Sequence, residues 1–236
     1  MYGQPSWGCP VRAMPAASMH LPFQRDSFDA QRERMVRVQV AERGIRDRRV
    51  LGAMLDVPRH EFVPESLWNQ AYEDHPLPIG AGQTISQPYI VAVMLEYLAL
   101  QPTDRVLEVG TGSGYVTGLL SRMCADVYSV ERHAELAAAA EATLARLGYS
   151  NVKIRVGDGG QGWPEYVPFD AIVVSAATSE IPPALFAQLR EGGRMVVPVG
   201  PPTSQQLQLI RKVNAQAEVQ VLEGCRFVPL VEGDSG

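Results

Sequence analysis

Three closely spaced glycines, two acidic residues further along and a serine upstream carry the spacing in this chain that could do chemistry. In VLEVGTGSGY, Gly110, Gly112 and Gly114 follow an apolar run and open a helix-like segment. Glycine has no Cβ, so such a turn tolerates positive φ and lets a ligand approach the main chain at a helix N-terminus. The spacing is GxGxG with Glu108 just ahead of it, whereas the dinucleotide fingerprint is GxGxxG, and position 115 here is a tyrosine. A tight strand-to-helix connection would use the same glycines, so a second match is needed. Glu131 supplies it. It ends the next apolar run, in VYSVERH, about 20 residues after the glycines, where an acidic side chain accepts hydrogen bonds from ribose hydroxyls. A solvated glutamate favoured by a helix dipole would look alike. In VGDGGQGWPE, Asp158 lies between Gly157 and Gly159 at the end of a third run, placed to meet an adenine amino group; Asp-Gly is also an ordinary turn signal. Upstream, GAGQTISQPYIVAVMLEYL passes from a polar, glycine-rich loop into an apolar segment at Ser86. A serine there is a natural helix N-cap, with proline tolerated in the first turn, and its hydroxyl could still reach a ligand.

The elements that must position these residues follow from periodicity. Apolar runs at 105–109, 127–130, 152–156, 171–174 and 195–199 alternate with helix-like segments at 115–123, 134–147 and 182–189. That alternation predicts an α/β fold with a doubly wound, mostly parallel Rossmann-like sheet. Near-continuous apolar stretches such as AIVV from Ala171 suit strands buried on both faces. Further strand candidates lie at 207–210 and 219–222, followed by 226–230. Ahead of the sheet, Met35, Val36, Val38 and Val40 suit a helix from Asp29 closed by Gly44, and Asp47 can cap a second helix through Leu55. A Pro- and Gly-rich loop is expected from His75 to Gly82. The predicted organisation is an N-terminal extension over 1–28, rich in proline, then a single domain over 29–236. Within it, 29–100 is a helical section with a substrate loop, 101–200 a cofactor-binding core and 201–236 C-terminal strands.

Composition bounds the function classes. The chain has 236 residues, 46% of them hydrophobic, enough for one sizeable core. A net charge of −5 without a Lys/Arg block disfavours nucleic acid as the main partner. Cys9, Cys124 and Cys225 are scattered, with no CxxC spacing, which suits a reducing cytoplasm and no structural zinc. No apolar stretch approaches the roughly 20 residues that cross a bilayer, and Met1–Phe28 lacks a signal-peptide apolar region. His20, His60, His75 and His133 share no metal or triad spacing, and Trp68 and Trp163 read as packing residues.

The glycine turn is similar to the first motif of Rossmann-like methyltransferases. After the fourth strand stands SAATSEIP, without the Asn/Asp-Pro-Pro-aromatic motif of many amino-group methyltransferases. The run QTISQPYIVAVM, with VLEVGTGSGY, VYSVERH, GDGGQGWPE, PFDAIVVSAA, GGRMVVPVG and FVPL, resembles the ordered motif set of protein-L-isoaspartate O-methyltransferases from about Arg32 to Leu230. The TISQP segment followed by IVA is the most specific part. The resemblance implies a class I fold and S-adenosyl-L-methionine as cofactor, with S-adenosyl-L-homocysteine as product. It implies methylation of the free carboxylate of L-isoaspartyl, and by extension D-aspartyl, residues in damaged proteins and peptides. By resemblance Ser86 is the active-site residue. Gln83, Thr84, Ile85, Ser86, Glu108, Gly110, Thr111, Gly112, Gly114, Glu131, Arg132, Gly157, Asp158 and Gly159 hold the cofactor. Ser86 with backbone groups of Phe227 and Val228 holds the substrate as an extended strand. No metal is implied, and a cytoplasmic monomer is expected. The short tail after Leu230, VEGDSG, and Ser175, where threonine is common, depart from the family pattern. Methylation of another carboxylate or an amine, and a non-catalytic cofactor-binding module, stay open on sequence alone.

Overall fold

Ser27 and Asp47 each open a helix in the first part of the chain. In the computed structural model, which describes residues 27–231 and 233, the Ser27 hydroxyl accepts from the Ala30 N–H and starts α1 (Phe28–Arg34). The helix runs on through a π-helical stretch, Met35–Ala41, that buries Met35, Val36 and Val40, and the chain turns out at Gly44 with φ of 112°. The Asp47 carboxylate accepts from Arg49 N–H at 2.8 Å and caps α2 (Arg48–Asp56), which buries Val50, Ala53 and Met54. Two 3-10 segments follow, Arg59–Phe62 and Glu65–Gln70. The predicted extension over 1–28, with Cys9 and His20, lies almost wholly outside the described residues.

The first section is not purely helical. The expected loop from His75 to Gly82 contains half of a short antiparallel hairpin, β1 (Leu77–Gly80) and β2 (Gln83–Ile85), in which Leu77 pairs with Ile85. Gly80, Ala81 and Gly82 all take positive φ, which closes a tight hairpin turn. The prolines and glycines that signalled a loop are compatible with a strand only because the strands are short and pair on one side. α3 (Pro88–Leu98) begins two residues after β2. Gln87, not Ser86, is its N-cap position, with no side-chain cap bond, so the expected Ser86 cap is replaced by an uncapped start.

The apolar runs then form β3 (Arg105–Val109), β4 (Asp126–Glu131), β5 (Val152–Val156), β6 (Phe169–Val174), β7 (Leu189–Val199), β8 (Gln205–Val213) and β9 (Gln216–Cys225). Their order in the seven-stranded sheet is β5-β4-β3-β6-β7-β8-β9. β3 to β7 pair in parallel, and β8 and β9 are added antiparallel at one edge. Residues 226–230 do not extend the sheet; they return along the loop after β6, with a single bridge between Ala177 and Pro229. The helices α4 (Tyr115–Ser121), α5 (Ala134–Arg146) and α6 (Pro183–Gln188) stand within the expected segments.

Alternation along the strands splits the core in two. Val106, Val127, Ala171, Val173 and Val196 pack with the N-terminal helices, α3 and α4. Leu107, Val109, Val130, Ile172, Val174 and Val197 pack with Trp163, Phe169 and Leu185 of the other face. Both faces are therefore covered, as a parallel sheet requires. Because β4 lies on one side of β3 and β6 on the other, connections leave β3 and β6 in opposite directions, and a crevice opens at their carboxyl ends.

Candidate functional site

The glycine turn leaves β3 at that crevice. Gly110 has φ of 91° and its N–H donates to the Val130 carbonyl at 2.9 Å, so a residue with a Cβ would be strained where the turn must start. The Gly112 N–H donates to Glu131 Oε2, and His133 N–H to Glu131 Oε1, both at 2.9 Å. The end of β4 thus delivers a carboxylate that the main chain holds in one orientation, buried to 5% exposure, with lone pairs left for a ligand.

A cavity of about 320 Å³ lies over this carboxylate, within the size range of small-molecule sites. Of the residues expected at the cofactor, it is lined by Gln83, Thr84, Ile85 and Ser86 of the β2 segment, by Gly110, Thr111 and Gly112, by Glu131 and Arg132, and by Gly159. Val228, expected at the substrate, lines it too. A second, open groove of about 1020 Å³ runs alongside, bordered by Gln87, Ile90, Gln205, Arg226 and Phe227. Thr84, Ser86, Ser175 and Val228 border both spaces, so the two meet at the Ser86 and Ser175 side of the crevice.

Four expected cofactor residues are not part of the cavity lining. Glu108 is fully buried behind the turn, where its Oε2 accepts from Thr117 Oγ1 at 2.5 Å and Ser129 Oγ at 2.6 Å. Ser129 in turn bonds Thr111 Oγ1 at 2.5 Å. The carboxylate points into the space between sheet and α4, so it braces the glycine turn from below and does not face the cavity. Burial away from water pushes its pKa from 4.5 up to about 7, against the two hydroxyl donors. Gly114 is the N-cap of α4; a Cβ there would approach Ala140 Cβ to 3.2 Å and Leu144 Cδ1 to 3.3 Å, so it is needed for α4 to lie against α5. Gly157 continues the ladder by donating to the Glu131 carbonyl at 2.9 Å, off the cavity lining. Asp158 stands beside the cavity, with Oδ1 accepting from Gly160 N–H and Oδ2 from Gly233 N–H.

The substrate segment is also more tied down than expected. The Phe227 N–H donates to Gln205 Oε1 at 2.6 Å, and the Gln205 amide donates back to the Phe227 carbonyl at 3.0 Å. The Val228 carbonyl accepts from Ala177 N–H at 2.8 Å. With its main chain already paired, Phe227 has only its groove-facing surface to offer.

Several lining residues escaped sequence reading: Ser113, Tyr115, His133, Ser175, Ala176 and the tail from Pro229 to Val231. Ser175 follows β6 directly, and its N–H donates to the Val109 carbonyl at 2.8 Å. The rule that ligands sit at strand carboxyl ends could have found it. The tail, short as it is, still borders the cavity, held by Arg132 donating to the Val231 carbonyl at 3.0 Å and Leu230 N–H donating to the Ala177 carbonyl at 2.7 Å. Among the described residues no group of three or more His, Cys, Asp or Glu side chains is arranged to hold a metal. Cys124 and Cys225 are free thiols, both with pKa pushed up by burial.

Comparison with known proteins gives this arrangement a family. The family model described as protein-L-isoaspartate(D-aspartate) O-methyltransferase matches residues 30–235. Among similar proteins are the protein-L-isoaspartate O-methyltransferases of Koribacter versatilis, 54% identical over 209 residues covering 89% of this chain and 94% of the relative, and of Methylorubrum extorquens, 54% identical over 225 residues covering 95% and 96%. Among solved structures, one described as a protein-L-isoaspartate O-methyltransferase from Plasmodium falciparum, in complex with S-adenosyl-L-homocysteine, superposes with a TM-score of 0.77. It is 30% identical and covers 86% of this chain and 99% of that one. With a glycine turn, a main-chain-held carboxylate and a TISQP serine gathered at one crevice, and with relatives matching nearly end to end, the chain belongs to the protein-L-isoaspartate(D-aspartate) O-methyltransferase family.

Proposed function

We infer that the chain methylates the free carboxylate of L-isoaspartyl residues in damaged proteins and peptides, with S-adenosyl-L-methionine as methyl donor. The observation that carries the reading is Ser86 standing where a cavity of cofactor size meets a second, larger groove. The residues present fit the donor: Glu131 offers a fixed carboxylate for ribose hydroxyls, the Gly110–Gly112 main chain leaves room for a close ligand, and Asp158 beside Gly159 suits an amino group on adenine.

Bound S-adenosyl-L-methionine supplies a methyl group on a cationic sulfur, which leaves as a neutral thioether when a carboxylate oxygen takes the methyl. The acceptor needs no general base, because a carboxyl group with an ordinary pKa near 4 is already ionised at neutral pH. What this chain must contribute is alignment and exclusion of water. Ser86 donates to one carboxylate oxygen and leaves the other free to attack. Apolar Ile85, Val109 and Leu230 around the cavity keep the reacting atoms dry. D-aspartyl residues present a carboxylate on a similarly displaced chain and form a second acceptor class. Methylation of another carboxylate or an amine is the competing reading; the TISQP segment opposes both, and an amine would in addition need its proton removed.

In this reading residues 29–236 work as one methyltransferase domain, as a monomer in the cytoplasm. The free thiols of Cys124 and Cys225 support the compartment, and an open groove suits substrates that arrive as flexible chains. Net charge of −5 supports protein, not nucleic acid, as the acceptor. Among the described residues no helix is long and apolar enough to cross a membrane. The test is methyl transfer from labelled donor to matched peptides carrying isoaspartate or aspartate at the same position. Transfer to the first alone is expected; equal transfer to both, or to neither with donor still bound, sinks the assignment.

A further inference from the structure

We propose that Arg59 is a positioning residue for this methyl transfer, a buried guanidinium that sets the Ser86 hydroxyl by gripping the Ser86 carbonyl. The proposal rests on the reading of Ser86 as the acceptor-side residue. Arg59 is fully buried, in the 3-10 segment after α2. Its Nη2 donates to the Ser86 carbonyl at 2.9 Å and its Nε to the Ala71 carbonyl at 2.8 Å. Its guanidinium carbon lies 4.9 Å from the ring centroid of Tyr115, itself buried and part of the cavity wall. Among the described residues no ion pair with a carboxylate neutralises it, and Nη1 has no hydrogen-bond partner.

Such a placement is costly. A buried cation with no ion pair loses its hydration and bonds neutral acceptors, Asp74 acting on it only through space, and burial lowers its pKa accordingly. An apolar side chain of similar length would fill the space without that cost but would leave the Ala71 and Ser86 carbonyls without this donor, so the arginine is explained by the two carbonyls it bonds. What arginine offers is a rigid, planar fork that bonds two carbonyls at a fixed separation. Ser86 needs that fork. It lies with Gln87 in the two-residue link between β2 and α3, and α3 starts without a side-chain cap. Its neighbours are held by a separate set of contacts: Asp74 accepts from Gln87 Nε2 at 2.8 Å and pairs with Arg43 at 2.6 Å, whose guanidinium lies 3.4 Å over the Tyr89 ring. Arg59 alone among these reaches the Ser86 peptide itself, and the hydroxyl that aligns the acceptor hangs from that peptide.

The experiment compares the full chain with Arg59→Lys, Arg59→Gln, Ser86→Ala and the double variant Arg59→Lys/Ser86→Ala. It reads kcat and KM on an isoaspartyl peptide, Kd for S-adenosyl-L-homocysteine by calorimetry, and the thermal midpoint. Misplacing a reacting group by about 1 Å can cost on the order of a hundredfold, so a fall in kcat/KM of roughly tenfold or more is expected for Arg59→Lys, with Kd for the homocysteine product within about threefold. The double variant is expected to be no slower than Ser86→Ala alone, because Arg59 acts through that hydroxyl. Multiplicative losses in the double variant, a product affinity that falls in step with turnover, or failure of both Arg59 variants to fold would each overturn the proposal and leave Arg59 a structural residue. If Ser86→Ala turns over normally, the reading of Ser86 itself falls; if Ser86→Ala is slow and both folded Arg59 variants are normal, only the present proposal does.

Discussion

Two glutamates one strand apart show how little separates a ligand contact from a structural brace. Glu131 ends β4 with its carboxylate against the cavity, while Glu108, next to last in β3, turns its carboxylate toward α4. Replacing Glu131 by alanine is expected to weaken S-adenosyl-L-homocysteine by roughly 1.5 to 3 kcal/mol, the range for hydrogen bonds to a charged group, measured by calorimetry; unchanged affinity would remove it from the site. Glu108 predicts a pH effect instead. Its folded pKa of about 7 exceeds the ordinary 4.5 because burial disfavours the anion. Between those values the folded chain holds a proton that the unfolded chain releases. Its contribution is therefore intact below about pH 4.5, declines as pH rises to about 7 and is flat above, a swing on the order of 3 kcal/mol. Thermal unfolding of Glu108→Gln should show a shallower loss of stability over that window than the parent chain, and parallel curves would mean that Glu108 is ionised in the fold throughout.

The groove is built by elements distant in sequence that meet through side chains. Gln205, at the start of β8, pairs its amide with both main-chain groups of Phe227, so the segment after β9 is held to the sheet as if by one more peptide unit. Removing that amide frees Phe227 without touching β3, β4 or Glu131. Gln205→Ala should raise KM for an isoaspartyl peptide roughly tenfold, consistent with losing one or two hydrogen bonds of about 1 kcal/mol each, while affinity for the homocysteine product stays put. A change in product affinity with KM constant would show that Gln205 serves the cavity and not the groove.

Over the whole molecule, the cavity draws on the ends of β3, β4 and β6, on the β2 segment and on the returning tail, so a ligand there bridges most of the fold. A ligand at about a hundred times its Kd adds about 2.7 kcal/mol to folding, which for a chain of this size is a rise in Tm of roughly 5 to 10 °C. Calorimetric scans with and without S-adenosyl-L-homocysteine check this; an unmoved midpoint would argue that the cavity holds something else.

The sequence by itself determined the parallel strands and the signals of the cofactor turn. Apolar runs buried on both faces and glycines that must take positive φ each demand particular residue types at fixed local offsets, and so does a carboxylate at a strand end. The cores of β3, β4, β5 and β6 and the candidate cofactor positions Gly110, Gly112 and Glu131 were legible for that reason, while the bond from the Gly112 N–H to the Glu131 carboxylate was not. Only the tertiary structure decided the rest. Strand alternation places Glu108 on a different face from Leu107 and Val109, but which face lies against α4 depends on how the sheet is wound. The β1–β2 hairpin hid behind Pro76, Pro78 and Gly80, because its strands are held by partners and burial, not by propensity. Ser175 and Arg59 reach Ser86's surroundings from positions 89 residues after and 27 residues before it, and contacts over such separations are set by packing, which no local pattern records.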